Sequence, residues 1–208
     1  RILTGMNEVN GTTSSTTTRL GEVIEGSTTE FRTHCYDLYQ APPLGSLVRC
    51  GDGDSTYGIV CDVATQSMDP SRTAIPRGRD SEDEEDVYLN NPQLTRLLYT
   101  QFQAVIVGHD DGPGIRRYLP PSPPRIHSFV YACSQEEVRA FSDSLDFLPI
   151  LLSPSVNAQD DVIASFLRIA GACHQDSNGF LVNAGKTLAT LMAGQLPRLN
   201  NVLRRISP

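Results

Sequence analysis

The chain has 208 residues, a length that suits one large domain or two small ones. Hydrophobic residues make up 39% of it, which excludes a chain that is disordered throughout. The formal net charge of −7 and the pI near 5.0 disfavour non-specific nucleic-acid binding, because an acidic chain repels phosphate backbones at long range.

The first residues are small and polar, and a strand-like alternation follows them. Residues 1–18 are rich in Thr, Ser, Asn and Gly, so we predict a disordered N-terminal tail. Arg19–Glu25 alternates apolar with polar residues and predicts a half-buried strand. Thr29–Leu38 predicts the next strand, whose alternation places four residues on one face: Phe31, Thr33, Cys35 and Asp37.

A hairpin is predicted next. Ala41–Gly45 contains two prolines, which cannot donate to a sheet ladder, so a turn is expected there. Ser46–Cys50 and Ser55–Thr65 are strand-like segments joined by a Gly-Asp-Gly-Asp turn signal. Gly58 interrupts the second strand, which indicates a bulge or a close backbone approach.

The middle of the chain mixes loop, helix and strand signals. Residues 78–90 contain the run SEDEED, and we predict a solvated acidic loop there. Asn91 can cap a helix that begins at Pro92 and ends at Gln101. Phe102–His109 predicts a buried strand.

Prolines separate the last two predicted strands. Ile115–Leu119 predicts a short strand, and Ile126–Ala132 is the last clear one. Between them, Pro120–Pro124 contains four prolines that force an extended connector. The same segment contains overlapping P-x-x-P patterns, which would suit a peptide ligand if it were exposed.

Helical spacing begins after Cys133. Ser134–Glu137 has the pattern of a capping box at the start of a helix. Three further helices are predicted at 160–173, 179–193 and 196–206. The predicted fold class is therefore α+β: a small six-stranded closed β-barrel at 19–133, with an open sheet as the alternative, followed by a helical C-terminal segment at 134–208.

The five cysteines include no C-x-x-C pair, and their spacing does not cluster metal ligands. We predict reduced, buried thiols in a cytoplasmic protein, and no metal site. No stretch reaches the roughly 18 apolar residues of a membrane helix, so no membrane partner is expected.

Five blocks occur in an order typical of one family: Arg19–Phe31, Ala41–Val48, Tyr57–Val63, Asn91–Leu94 and Phe102–Gly108. Over residues 19–133 the chain thus resembles the HAS-barrel family, named for the N-terminal barrel that HerA-like DNA-translocating ATPases share with ATP synthases. The resemblance is closest to standalone chains of the cyanobacterial type. It implies a non-catalytic barrel that packs side by side into rings or serves as a platform for partners. We expect the ATPase motor to be missing.

The string Gly185-Lys186-Thr187 matches the end of a Walker A phosphate loop, and Lys186 is the only lysine. The full motif needs a glycine five positions before Gly185, where this chain has Phe180. We therefore predict no nucleotide cofactor, with these three residues as weak candidates. A helix start or a kink between helices is the preferred interpretation.

No catalytic residue is predicted. His109 precedes Asp110 and Asp111, a pattern that could suit a general base, but neighbouring strand residues point to opposite faces. His127 and Cys133 would lie on one face of a single strand, about 20 Å apart. They cannot form a dyad within that strand.

Arginine pairs mark the candidate interaction sites. The residues that could contact an acidic partner or nucleic acid, rather than only solvent, are Arg116, Arg117, Arg125, Arg204 and Arg205. The leading hypothesis is a non-catalytic assembly or protein-interaction module that binds a protein partner or self-associates. The alternatives are an accessory factor of a HerA-like translocase in DNA processing, with nucleic acid as a weakly supported partner, and an enzyme with an unrecognised site.

Overall fold

The computed structural model describes residues 18–53 and 55–206. The predicted disordered tail therefore lies outside the described residues, except for Thr18. Seven strands are described: β1 Arg19–Gly26, β2 Glu30–Cys35, β3 Leu47–Cys50, β4 Thr56–Ser67, β5 Leu98–Asp110, β6 Ile115–Arg116 and β7 Phe129–Ala132. Seven helices are described: α1 Glu84–Asn90, α2 Leu94–Leu97, α3 Gln135–Ser142, α4 Leu148–Leu151, α5 Gln159–Cys173, α6 Ser177–Leu191 and α7 Leu196–Ile206.

The strands form one antiparallel sheet in the order β2-β1-β7-β3-β4-β5-β6. β2 pairs a second time, with β5, in a register that runs from Glu30 opposite Val105 to His34 opposite Gln101. The predicted hairpin is confirmed, because β3 and β4 pair from Leu47 opposite Ile59 to Cys50 opposite Thr56. The α+β class with C-terminal helices is thus correct.

Strand alternation sorts the apolar side chains into two clusters. On β2, Phe31, Thr33 and Cys35 are buried, as the predicted face requires. Phe31 and Cys35 belong to an inner cluster on one side of the sheet, together with Val60 and Ile106. Thr33 lies on the same face of β2. Gly58 faces the same side, and a Cβ there would lie 2.8 Å from Phe31 Cε1. The register also shifts at Gly58, so both the bulge and the close approach are confirmed.

The helices pack on the opposite side of the sheet. β4 contributes Tyr57, Ile59 and Cys61 to this outer cluster, and β5 contributes Val105 and Val107. A row of aromatic rings fills the space between sheet and helices, with centroids 5.1–5.3 Å apart: Tyr57, Phe141, Phe147 and Phe166. The sheet residues of the outer cluster come from β3 to β6, so this layer covers only part of the sheet.

The acidic segment is partly helical, which corrects the predicted loop at 78–90. Asp83 caps α1 and accepts a hydrogen bond from the Asp86 amide at 2.9 Å. Glu84, Glu85 and Asp86 occupy the first turn, where the positive end of the helix dipole favours negative charge. The acidic residues therefore stabilise the start of a helix, in spite of the repulsion between their charges.

The predicted helix, capped by Asn91 and running from Pro92 to Gln101, is wrong except for the single turn of α2. Asn91 is the C-cap of α1, and Gln93 precedes α2. Only α2 is helical, and Leu98 already belongs to β5. The register with β4 continues from Ser67 opposite Leu98 onwards, so ladder hydrogen bonds replace the helical ones. The leucines have helical spacing, but pairing with the distant strand β4 decided the structure of this segment.

The remaining predicted elements are confirmed with shifted ends. β6 ends at Arg116, and β7 begins only at Phe129. His127 has a positive φ of 68° and lies outside β7, so the prediction that it shares a strand with Cys133 is wrong. The capping box at Ser134 is present, with both of its hydrogen bonds to and from Glu137.

Candidate functional site

A polar cleft of about 660 Å³ lies where the β3–β4 turn, the end of β5 and the proline connector meet. The turn brings Asp52, and the end of β5 brings His109, Asp110 and Asp111. The four prolines of Pro120–Pro124 also line the cleft. The structure thus brings the predicted His-Asp-Asp string and the predicted connector into one cavity.

Like Thr56, His109 is a buried polar residue of this cleft, with 9% of its surface exposed. Its Nδ1 lies 3.3 Å from the carbonyl oxygen of Tyr118, and the Tyr118 ring packs edge-on against the imidazole. A carbonyl oxygen only accepts, so Nδ1 carries the proton and Nε2 of the neutral ring is an acceptor. Nε2 makes no hydrogen bond to another described residue.

Each cleft carboxylate is anchored through one oxygen. Asp52 Oδ1 accepts from the Tyr131 hydroxyl at 2.8 Å, and Asp110 Oδ1 accepts from the Gly112 amide at 2.9 Å. Asp111 Oδ2 accepts from Arg116 Nε at 2.8 Å. That hydrogen bond is the main reason why the pKa of Asp111 lies below its usual value.

A second candidate surface is the outer face of β1, β7 and the adjoining β3, which we call the ladder face: Arg19, Arg49, Phe129 and Tyr131. The Arg19 guanidinium lies 3.9 Å from the centre of the Phe129 ring, and that of Arg49 lies 4.8 Å from the centre of the Tyr131 ring. β1 and β7 contribute nothing to the outer cluster under the helices. Arginines and aromatic rings therefore alternate on a surface that the outer cluster leaves open at β1 and β7 and that meets α3 at Arg49, through Glu137.

Glu22 organises the polar groups beside the ladder face. Its carboxylate accepts from the Tyr36 hydroxyl at 2.8 Å and lies 2.8 Å from His127 Nδ1. Hydrogen bonding to His127, then to Tyr36, lowers the pKa of Glu22. Burial, with the same Glu22 contact, raises the pKa of Tyr36. This carboxylate is thus held ionised by neighbours that come from two other segments, one after β2 and one before β7.

A Ser–His pair that no sequence pattern predicted lies among the helices. Ser142 Oγ lies 2.8 Å from His174 Nε2, and the His174 ring stacks on Phe180 at 4.2 Å between centroids. Ser142 is 1% exposed, and its hydroxyl also lies 2.8 Å from the Val138 carbonyl oxygen. A hydroxyl this buried cannot reach a substrate, so the pair ties α3 to the end of α5.

The predicted arginines do not form one patch. Arg117 donates to the carbonyl oxygens of Phe141 and Ala140 at 2.7 and 2.9 Å, which holds the last turn of α3. Arg116 pairs with Asp111. On α7, Arg204 bonds Asn201 and Arg205 pairs with Asp161 at 2.8 Å. Arg125 alone among the five lines the cleft.

Gly185, Lys186 and Thr187 lie in the interior of α6. The preferred interpretation, a helix start or kink, is therefore corrected, because the helix runs unbroken from Ser177 to Leu191. Amides inside a helix donate to carbonyls four residues back and do not ring a phosphate. Thr187 Oγ1 donates to the Asn183 carbonyl oxygen within the same helix.

The five cysteines are free thiols. Burial raises the pKa of Cys35 and of Cys61 to about 11 and that of Cys50 to about 12. Burial also raises the pKa of Cys133 and of Cys173. Among the described residues, no three His, Cys, Asp or Glu side chains could hold a metal ion together.

A comparison with models of known protein families found none that matches this chain. A search of curated proteins also returned no significant match. In the described ranges, no helix combines the length and the apolarity that a membrane crossing requires.

Proposed function

We propose that this chain is a non-catalytic interaction module, built on a closed six-stranded barrel of the HAS type, which binds a protein partner or a second copy of itself. The closed barrel is supported by a cycle of pairings: β2-β1-β7-β3-β4-β5, with β5 paired back to β2. The long connection between β4 and β5, residues 68–97, lies outside this cycle, and so does β6, which pairs with β5.

The observation that carries the interaction proposal is the ladder face. Protein interfaces are enriched in Tyr, Phe and Arg, and their energetic centres are most often Trp, Tyr and Arg. Here Arg19 lies over Phe129 on β1 and β7, which contribute nothing to the outer cluster. Arg49 of β3 lies over Tyr131, and its guanidinium also contacts Glu137 of α3. Tyr131 is fixed by its hydrogen bond to Asp52, so little side-chain freedom would be lost on binding.

The cation–π contacts of the ladder face become stronger when a partner excludes water from them. A cation–π contact contributes about 0.5–1 kcal/mol at an exposed site and about 2 kcal/mol or more when water is excluded. A partner that covers the Arg19–Phe129 contact therefore gains from an arrangement that already exists in the free protein. Arg49 is also paired with Glu137 at 2.8 Å, which keeps its charge compensated if it is buried.

The test compares two charge reversals, Arg19→Glu on the ladder face and Arg72→Glu on an exposed loop, where Arg72 contacts only Asp69. We expect light scattering, or capture of a partner from the source cell, to reveal an association that Arg19→Glu abolishes and Arg72→Glu preserves. Matching thermal melts would exclude unfolding of the variant. Association that survives Arg19→Glu, or a wild-type chain that stays monomeric and captures nothing, would reject the proposal.

A cytoplasmic location belongs to the same proposal. It is supported by the five free thiols, since a reducing compartment keeps cysteines in that form. The role as an accessory factor of a HerA-like translocase stays a prediction. A DNA mobility shift that weakens steeply with added salt would favour it.

A further inference from the structure

We infer that the polar cleft between the β3–β4 turn and the proline connector binds an arginine side chain of a partner protein. The inference rests on the proposed function and deepens it, because it names the partner's contact residue. It concerns the end of the sheet, whereas the interaction proposal above depends on the ladder face.

The first support is His109, which presents an unused acceptor. Its Nδ1–H donates to Tyr118, so Nε2 of the neutral ring can only accept. Thr33 Oγ1 is the one buried side-chain polar atom without a partner in the described part of the chain. His109 Nε2 makes no hydrogen bond to a described residue and is not such a fully buried atom, so it keeps some exposure, and His109 lines the cleft.

The carboxylates add further acceptors. Asp52 and Asp110 each use one oxygen in an internal hydrogen bond, and no described residue bonds the other. Asp111 is largely neutralised by Arg116, and Arg125 contributes one positive charge to the lining. The two negative charges of Asp52 and Asp110 exceed the one positive charge of Arg125, so the cleft is negative. A negative cleft with free acceptors favours a cation that donates hydrogen bonds.

Arginine fits this chemistry better than lysine. A guanidinium offers five N–H donors in a plane and no acceptor, so it can bond acceptors that come from different elements at once. Its flat face can also lie against the apolar rings of Pro120–Pro124. An ammonium is a compact, strongly hydrated charge that gains less from a flat wall.

The test is titration calorimetry with a blocked Gly-Arg-Gly peptide, beside citrulline and lysine versions of the same peptide. Citrulline keeps the shape of arginine without its charge. We expect the arginine peptide to bind at least tenfold more tightly than the citrulline peptide, and more tightly than the lysine peptide. Equal binding of the arginine and citrulline peptides would overturn the inference.

Three variants locate the site. Asp110→Asn keeps the acceptor for Gly112 and removes the charge, so we expect about tenfold weaker binding, the size of one charge-assisted hydrogen bond. Asp62→Asn, an exposed carboxylate on β4 outside the cleft, should leave binding unchanged. Arg125→Ala should preserve or tighten binding, because it removes a like charge.

Two outcomes would overturn the inference at this level. One is arginine-peptide binding that Asp110→Asn leaves intact. The other is tighter binding of a glutamate peptide that Arg125→Ala abolishes, because the cleft would then be an anion site. If no peptide binds while association still depends on Arg19, the cleft inference fails and the interaction module stands.

Discussion

Gly45 is the position where one added methyl group should most disturb the packing of the helices on the sheet. Its φ is +84°, its amide donates to the Val60 carbonyl oxygen at 2.8 Å, and it lies against α5. A Cβ built at Gly45 would lie 2.6 Å from the Phe166 amide nitrogen and 2.6 Å from Ser165 Cβ. Both neighbours belong to a packed helix, so neither can move away cheaply.

The expected cost of Gly45→Ala has two parts. The left-handed backbone costs a residue with a Cβ about 1–2 kcal/mol. Overpacking against α5 adds about 1–3 kcal/mol. Gly112→Ala is the matched control, because its φ is +91° and nothing lies within 4 Å of the added Cβ. It should show the backbone cost alone.

Urea unfolding separates the two parts. We expect Gly45→Ala to lower the free energy of unfolding by about 2–5 kcal/mol and Gly112→Ala by about 1–2 kcal/mol. In a chain of this length the difference of about 1–3 kcal/mol corresponds to roughly 2–12 °C in Tm. Equal losses in the two variants would refute the close packing of Gly45 on α5.

Three further predictions follow from buried polar groups. Burial raises the pKa of Cys50 to about 12, above the usual 9.0 of an unfolded thiol, so stability is intact below pH 9 and falls as the pH rises towards 12. Urea unfolding from pH 8 to 11 should show this fall, and Cys50→Ala should make it less steep without abolishing it, because burial also raises the pKa of the other cysteines. An unchanged slope would contradict the assignment. Arg117→Ala should cost about 1–3 kcal/mol of unfolding free energy by freeing two carbonyls of α3, against about 0–1 kcal/mol for the exposed pair lost in Arg116→Ala. Ser142→Ala should cost about 1–3 kcal/mol by leaving His174 Nε2 unpaired, and no loss in urea unfolding would show that the pair is not formed.

The sheet was predictable where the alternation was regular and one face was buried. The face of β2 through Phe31 and Cys35 follows from a period of two, and the helix start at Ser134 follows from its capping box. The helix predicted from Asn91 to Gln101 was wrong, because the leucines have helical spacing while the backbone from Leu98 onwards pairs with β4. Local patterns cannot reveal a partner strand about 30 residues away.

The site was less predictable, since its parts meet only through the fold. His109 and the two aspartates after it stood out as a string, but the prolines that also line the cleft come from a segment with no shared pattern. The Ser142–His174 pair spans 32 positions and three helices. The ladder face requires the register of Arg19 opposite Tyr131 and of Arg49 opposite Tyr131, which only the sheet order supplies.

Glu137 joins the helical segment to the ladder face. Its backbone and carboxylate complete the capping box that begins α3, and the same carboxylate lies 2.8 Å from Arg49 Nε. Arg49 in turn lies over Tyr131, whose hydroxyl donates to Asp52 in the cleft. The start of α3 therefore fixes an arginine of the ladder face, and Tyr131 fixes a carboxylate of the cleft. Because one chain of contacts links the ladder face to the cleft, the side chains of both proposed binding surfaces are held in place before any ligand binds.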